Sequence, residues 1–365
     1  MLPFLSWQNQ LQIAVLKYTE TTQKVIKGIE NLKAIREADL QIGVTPKQAV
    51  YREDNVTLYR FQPAIEPPFK FPVLIVYALV NRPYMVDLQV DRSLVANLLQ
   101  LGLDIYLIDW GYPTRADRWL TLDDYINGYI NHCVDFICTQ HSLSSINVLG
   151  ICQGGTFSLC YSALYPTKVK NLITMVTPVD FHMPSALLNM QGGCTLGPEA
   201  VDIDQLVDAS GNVAGDYLNA DFLMLKPWQL GCQKYLDFIE LLDSKEKLLN
   251  FLRMEKWIFD SPDQAGEAYR QFLKDFYQAN KLIKGEVVIG DDLINLSTIA
   301  MPVLNVYAEK DHLVTPASSL ALQRYISSTD YTVRSFPVGH VGMYVSSKVQ
   351  QKLPPAIAEW LTARA

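Results

Sequence analysis

The chain has 365 residues, 49% of them hydrophobic, with 31 basic against 38 acidic side chains and a formal charge of -7. That supplies one large core, or one core with a sizeable insertion, and the acidic balance without a dense Lys/Arg tract argues against nucleic acid as the main partner. No run of about 18 apolar residues occurs, so no membrane span is expected, and the start MLPFLSWQNQLQ lacks the basic region and longer apolar run of a secretory signal. Six cysteines (Cys133, Cys138, Cys152, Cys160, Cys194 and Cys232) show neither the density of a disulfide scaffold nor paired zinc spacing, which leaves a reducing cytoplasm as the expected setting.

In chain order, Val25, Ile26, Ile29, Leu32 and Ile35 recur at helical spacing and predict an amphipathic helix, expected to pack on the core. Docking to a partner or a lipid-like surface, helped by the apolar LPFLSW before it, is the other use such a helix can have. β-rich runs follow at 71–79, 104–110, 146–150, 171–177, 301–309 and 331–337. Several are nearly continuous apolar runs, as strands buried on both faces of a parallel sheet require. Helical stretches such as DRSLVANLLQLG and LDDYINGYINHCVDFICTQH alternate with them, so the fold class is α/β with a mostly parallel sheet. From Phe181 to Ile299 the alternation stops and Leu- and aromatic-rich helical pieces take over, which reads as an inserted, largely helical cap or lid. The expected division is an N-terminal helical segment (1–50), a core (51–180 and 300–365) and the cap (181–299).

The stretch INVLGICQGG places Cys152 in G-x-C-x-G-G, directly after a strand and directly before a helical pattern. A nucleophile elbow needs this context: its nucleophile sits on a strained turn, and only very small residues fit two positions to either side. The helix N-terminus behind it favours an anion, so the thiol is expected to shift toward thiolate, and the amide of Gln153 is placed as one oxyanion donor. A buried packing cysteine is the plainer reading of Cys152, but Cys160 suits that part better.

A nucleophile needs a base and an orienting acid. His340, in FPVGHVGMYVS, follows the last expected strand, and Asp311, in YAEKDHLVTP, follows the one before it. The order Cys152, Asp311, His340 is the nucleophile, acid, histidine order of α/β-hydrolases. His312 reads as a supporting residue, and His132, His141 and His182 fit the base position less well. The second oxyanion donor is expected from the loop VNRPYMVDL, where Val80 and Asn81 both remain open.

A thiolate that attacks a thioester forms another thioester of nearly equal energy, so the acyl group keeps its transfer potential for delivery to an alcohol. Such chemistry suits an acyltransferase acting on acyl-CoA. GICQGGTFSLCY, VYALVNRPYMVDLQ, YLIDWGYP, KWIFDSPDQAGEAYRQF, YAEKDHLVTP and GHVGMYVS, taken together and in order, resemble the catalytic subunit of polyhydroxyalkanoate synthases, from about Tyr51 to the C-terminus. Class I and II members carry a longer N-terminal region than this chain, so the resemblance is to the compact class III type.

The resemblance implies the α/β-hydrolase fold, a preference for short-chain (R)-3-hydroxyacyl-CoA such as 3-hydroxybutyryl-CoA, and residence on cytoplasmic polyester granules. It also implies self-association and a second subunit: the E subunit (PhaE) of class III, with the R subunit of class IV as the alternative. By the same resemblance Cys152 is the acylated nucleophile, His340 the base, and Asp311 the third catalytic residue, acting on the 3-hydroxyl or orienting His340. The expected reaction needs no metal or prosthetic group, CoA being the leaving group. A cysteine hydrolase of the dienelactone-hydrolase type shares the elbow and the triad order, but it is compact and has no place for the block from Phe181 to Ile299.

Overall fold

A computed structural model describes residues 22–66, 68–183, 202–224 and 238–365. By its contacts the chain forms two units, one from residues 1–42 and 222–259, the other from 43–221 and 260–365.

The larger unit is built on eight strands: β1 (Lys47–Glu53), β2 (Val56–Phe61), β3 (Val73–Val76), β4 (Ile105–Asp109), β5 (Ile146–Ile151), β6 (Val169–Met175), β7 (Val303–Ala308) and β8 (Tyr331–Phe336). Their order across the sheet is β1-β2-β4-β3-β5-β6-β7-β8. The six strands from β3 onward run parallel to one another, and each lies inside one of the six runs expected from the sequence or overlaps it closely. β3 and β5 are buried at every position, which is why they read as unbroken apolar runs.

β1 and β2 lie outside the apolar runs of the sequence. They form an antiparallel hairpin, and β2 pairs antiparallel with β4. A two-residue turn joins them, with Asp54 at φ 48°, a conformation Asp adopts more readily than most residues. Both strands mix charged with apolar residues, and β1 is buried at no position, so neither carries the continuous apolar signal.

Helices α1 (Leu94–Gln100), α2 (Asn131–His141) and α3 (Gln153–Leu164) connect the parallel strands. Because β4 and β5 lie on opposite sides of β3, the chain reverses its direction of winding at β3 and β5, and the carboxyl ends of those two strands flank the crevice where α/β sheets bind ligands.

The expected cap divides in the structure. Residues 260–299 belong to the sheet-bearing unit, and an aromatic cluster explains why. Phe272 meets Phe157 of α3 at 5.7 Å between ring centroids, and Phe181 meets Phe276 at 5.7 Å and Tyr277 at 4.8 Å. Each phenylalanine buried this way contributes about 1.5–3 kcal/mol. Residues 184–201 and 225–237 of the expected cap, with Cys194 and Cys232, lie outside the described residues, as does the LPFLSW segment.

The smaller unit contains the expected N-terminal helix over 22–34 and a helix at Lys245–Ile258. The helix at 22–34 does not bury its apolar stripe: Val25, Ile26, Ile29 and Leu32 are 36–55% exposed. It docks through its small and polar positions instead. Gly28 lies against Leu242, and the Asn31 amide donates to the Leu242 carbonyl at 2.8 Å. Among the described residues no helix is long and apolar enough to cross a membrane.

Candidate active site

Cys152 stands between β5 and α3 at φ 54° and ψ -125°, a region costly for any residue with a Cβ and characteristic of functional turns. Its amide donates to the Met175 carbonyl of β6 at 2.9 Å, and its own carbonyl accepts from Gly155 N at 2.9 Å. The turn is closed by contact. A Cβ on Gly154 would stand 2.3 Å from the Val76 carbonyl oxygen, and one on Gly155 would stand 1.9 Å from Thr177 Oγ1.

The Gly154 neighbour is backbone of β3, which cannot swing aside. Gly154→Ala is therefore expected to lower the unfolding free energy by about 3 kcal/mol, read by urea denaturation; a value within about 1 kcal/mol of wild type would contradict this packing.

The other two triad candidates meet at the carboxyl ends of the last strands. The His340 ring bonds to Asp311 Oδ2 through Nδ1 at 2.7 Å, which leaves Nε2 for the nucleophile side. Asp311 has a fully buried side chain. Its Oδ1 accepts from the amides of Leu313 (2.9 Å) and Val314 (3.0 Å). Burial of His340 works against its charged form, but the Asp311 carboxylate, negative charge on Cys152 and hydrogen bonds to both raise it well above the ordinary imidazole value. The three residues named from the sequence are thus brought into one coupled group.

A raised folded-state value has a definite sign. The stability contributed by protonated His340 is fully present below the unfolded imidazole value near 6.5 and is lost as pH rises through the higher folded value. The unfolding free energy of wild type relative to His340→Gln is therefore expected to fall above about pH 6.5, by up to about 1.4 kcal/mol per pH unit. Denaturant titrations across that range measure it, and a constant or growing difference would contradict the coupling.

The remaining described histidines are engaged elsewhere or turned outward. His132 pairs with Glu53, His141 with Tyr106 and Asp104, and His182 with the Tyr277 carbonyl, while His312 is exposed. Cys160 is a core residue, as expected, its thiol pushed up to about 12 by burial. Cys133, Cys138, Cys152 and Cys160 are free thiols.

Three tyrosines without a distinguishing mark in the sequence interact with Cys152. Burial drives Tyr77, Tyr277 and Tyr344 upward; the charge of Cys152 is the next influence on Tyr77 and Tyr277, and on Tyr344 it comes after that of Tyr77. Tyr344 stands edge-on to His340 at 6.3 Å between ring centroids. Tyrosine spacing carries no signal of this convergence, since the three come from three distant segments.

The loop after β3 lies against the elbow. Gln153 is buried, and its side-chain oxygen accepts from the Leu79 amide at 3.0 Å, which takes Leu79 out of use as an oxyanion donor. Asn81 adopts φ 59°, and its side chain donates to Ser261 Oγ at 2.6 Å. The Val80 amide has no hydrogen bond among the described residues.

Comparison with known proteins agrees with this architecture. A family model for the alpha/beta hydrolase fold matches residues 72–346, and one for the poly-beta-hydroxybutyrate polymerase N-terminus matches residues 27–98. Among solved structures, a monoacylglycerol lipase from Paleococcus ferrophilus has a TM-score of 0.51 at 14% identity, over 86% of this chain and 100% of that one. A hydrolase from Pseudomonas aeruginosa has a TM-score of 0.51 at 13% identity, over 87% of this chain and 99% of its own. At such identities the likeness concerns the fold.

Sequence relatives reach further. Proteins named poly(3-hydroxyalkanoate) polymerase subunit PhaC are 67% identical in Synechocystis sp. (100% of this chain, 96% of the relative), 55% in Thiocystis violacea (94% and 95%) and 53% in Allochromatium vinosum (100% of both). With a full-length match at that identity, on a sheet that carries the elbow and its acid–histidine pair, the chain belongs to the poly(3-hydroxyalkanoate) polymerase family of enzymes, built on the α/β-hydrolase fold.

Proposed function

We propose that this chain is the catalytic subunit of a class III type polymerase that converts short-chain (R)-3-hydroxyacyl-CoA, such as 3-hydroxybutyryl-CoA, into polyester. The observation that carries the reading is the coupling of a strained Cys152 to the His340–Asp311 pair at the crevice of the sheet. His340 Nε2 takes the thiol proton as Sγ attacks the thioester carbonyl, and the tetrahedral oxyanion is met by the amides of Gln153 and Val80. Collapse expels CoA as a thiol and leaves the acyl group on Cys152. The 3-hydroxyl of the next monomer or chain end then gives its proton to His340 and attacks that thioester, forming an oxygen ester and releasing the cysteine.

Asp311 works through His340 in both half-reactions. Its side chain is wholly buried, one oxygen holds two backbone amides, and the other holds the imidazole, so no carboxylate oxygen faces an incoming hydroxyl. Of the two donors left open by the sequence, the Val80 amide is favoured by its free N–H. The reading includes an E subunit as partner, self-association, and work at the surface of polyester granules in the cytoplasm.

The test is CoA release from (R)-3-hydroxybutyryl-CoA by the purified chain, with and without an E subunit, with the product separated into polymer and free acid. Insoluble polyester that accounts for the released CoA, at a rate raised by the partner, is the expected result. Free 3-hydroxybutyrate matching the CoA would replace this reading by the hydrolase one.

A further inference from the structure

The motif FDSPD was part of the family resemblance, but nothing in the reaction so far uses it. Asp260 and Ser261 lie against the loop that follows β3, across some 180 residues of chain. The Ser261 hydroxyl accepts from the Asn81 side-chain amide at 2.6 Å and donates to Asn219 Oδ1 at 2.8 Å. Hydrogen bonds in such a relay reinforce one another. The Asp260 carboxylate accepts from two phenols, Tyr84 at 2.7 Å and Tyr112 at 2.6 Å.

Between Asn81 and Tyr84, Arg82 completes the fastening. Its guanidinium bonds to Asp109 at 2.8 Å and to the Gly111 carbonyl at 2.7 Å, and it lies 4.2 Å from the ring centroid of Tyr112. Segment 260–264 is itself anchored from behind. Gln264 and Val213 exchange backbone hydrogen bonds at 2.9 Å, Asp263 accepts from the Gly215 amide at 3.0 Å, and a Cβ on Gly215 would stand 2.0 Å from the Ser261 carbonyl oxygen.

We infer that Asp260 and Ser261 are positioning residues for the oxyanion hole, a clamp that sets the loop bearing the Val80 amide through Asn81 and Tyr84. The residue next to Val80 holds a left-handed backbone, which an unfastened asparagine leaves readily for ordinary backbone angles. Swinging Asn81 out of that conformation turns the peptide unit on its N-terminal side, and the Val80 donor moves with the loop. A donor displaced by about 1 Å loses much of its worth to a developing oxyanion while ground-state binding is little affected. Tyr84 donates to one oxygen of this carboxylate and Tyr112 to the other, so Asp260 ties the loop after β3 to the loop after β4 at the sheet's carboxyl edge. This inference rests on the proposed reading of Val80 as donor.

The test uses the full chain with Ser261→Ala, Ser261→Thr, Asp260→Asn and a Tyr84→Phe, Tyr112→Phe double variant. Initial CoA release from (R)-3-hydroxybutyryl-CoA gives kcat and KM, and the rate of Cys152 alkylation by iodoacetamide reports the thiol, which needs no oxyanion donor. Ser261→Ala and Asp260→Asn are expected to lower kcat by about 10- to 100-fold, with KM and the alkylation rate within about threefold of wild type. Ser261→Thr, which keeps the hydroxyl, is expected to recover most of kcat. The clamp is overturned if kcat in Ser261→Ala and Asp260→Asn stays within twofold of wild type, or if alkylation falls in step with kcat, since a general loosening of the site does that. A wild-type chain that releases no CoA overturns the proposed function itself, whereas an active wild type with unaffected variants overturns the clamp alone.

Discussion

Cys152→Ala is expected to abolish CoA release and polymer formation, by at least about 10⁴-fold in kcat, while leaving the fold and its stability close to wild type. In the proposed reaction the sulfur carries the acyl group, and neither the Gln153 and Val80 amides nor the His340–Asp311 pair can hold a growing chain covalently. The backbone of the turn is indifferent to the change, since alanine keeps the Cβ and therefore the same strain at φ 54°.

Glycine at this position separates chemistry from strain. It accepts that backbone at no steric cost, so Cys152→Gly is expected to be as inactive as Cys152→Ala yet more stable than it by about 1 kcal/mol, the relief of strain exceeding the entropy glycine adds to the unfolded chain. Urea denaturation of the two inactive variants measures this. A Gly variant less stable than the Ala variant would mean that the turn stores no strain, and polymer made by either would remove Cys152 from the mechanism.

Asp311→Asn carries the second largest expected effect, a fall in kcat of about 10² to 10⁴-fold. The hydrogen-bond inventory of the site explains why. The amides of Leu313 and Val314 both donate to Oδ1, and an asparagine must turn its oxygen to the same side to keep them satisfied. Its NH₂ group then faces His340 Nδ1, where the carboxylate stood at 2.7 Å. An N–H donor there favours the tautomer with the proton on Nε2, the nitrogen that the proposed reaction needs bare to take the thiol proton.

The Asp311 charge is also the first of the influences that raise His340, so the imidazole in Asp311→Asn should titrate lower than in wild type. Imidazole NMR on the two proteins reads this directly. An unchanged titration with lost activity would point instead to Asp311 acting on the substrate hydroxyl, the role the burial of its carboxylate argues against.

The features legible from the residues alone were local and repetitive. Strands buried on both faces must be apolar at nearly every position, so the runs at β3 to β7 stood out one at a time, and the small-residue pattern around Cys152 named its turn because a close backbone approach excludes side chains. Asp311 and His340 were legible for a related reason, since each follows a parallel strand and so must lie at the carboxyl edge of the sheet. The hairpin β1–β2 was not legible, as strands with mixed burial lack that apolar signature.

Tertiary structure alone decided which distant groups share a hydrogen bond. Gln153 spends its side chain on Leu79, Ser261 on Asn81 and Asn219, and Asp260 on Tyr84 and Tyr112. It also showed that residues 260–299 belong with the sheet, where Phe272 and Phe276 find the aromatic rings of α3 and Phe181, and that the helix at 22–34 meets its unit through Gly28 rather than its apolar stripe. The reason is physical: periodicity records whether a side chain is buried, while the identity of its partner is set by how elements far apart in the chain are brought to one edge of the sheet.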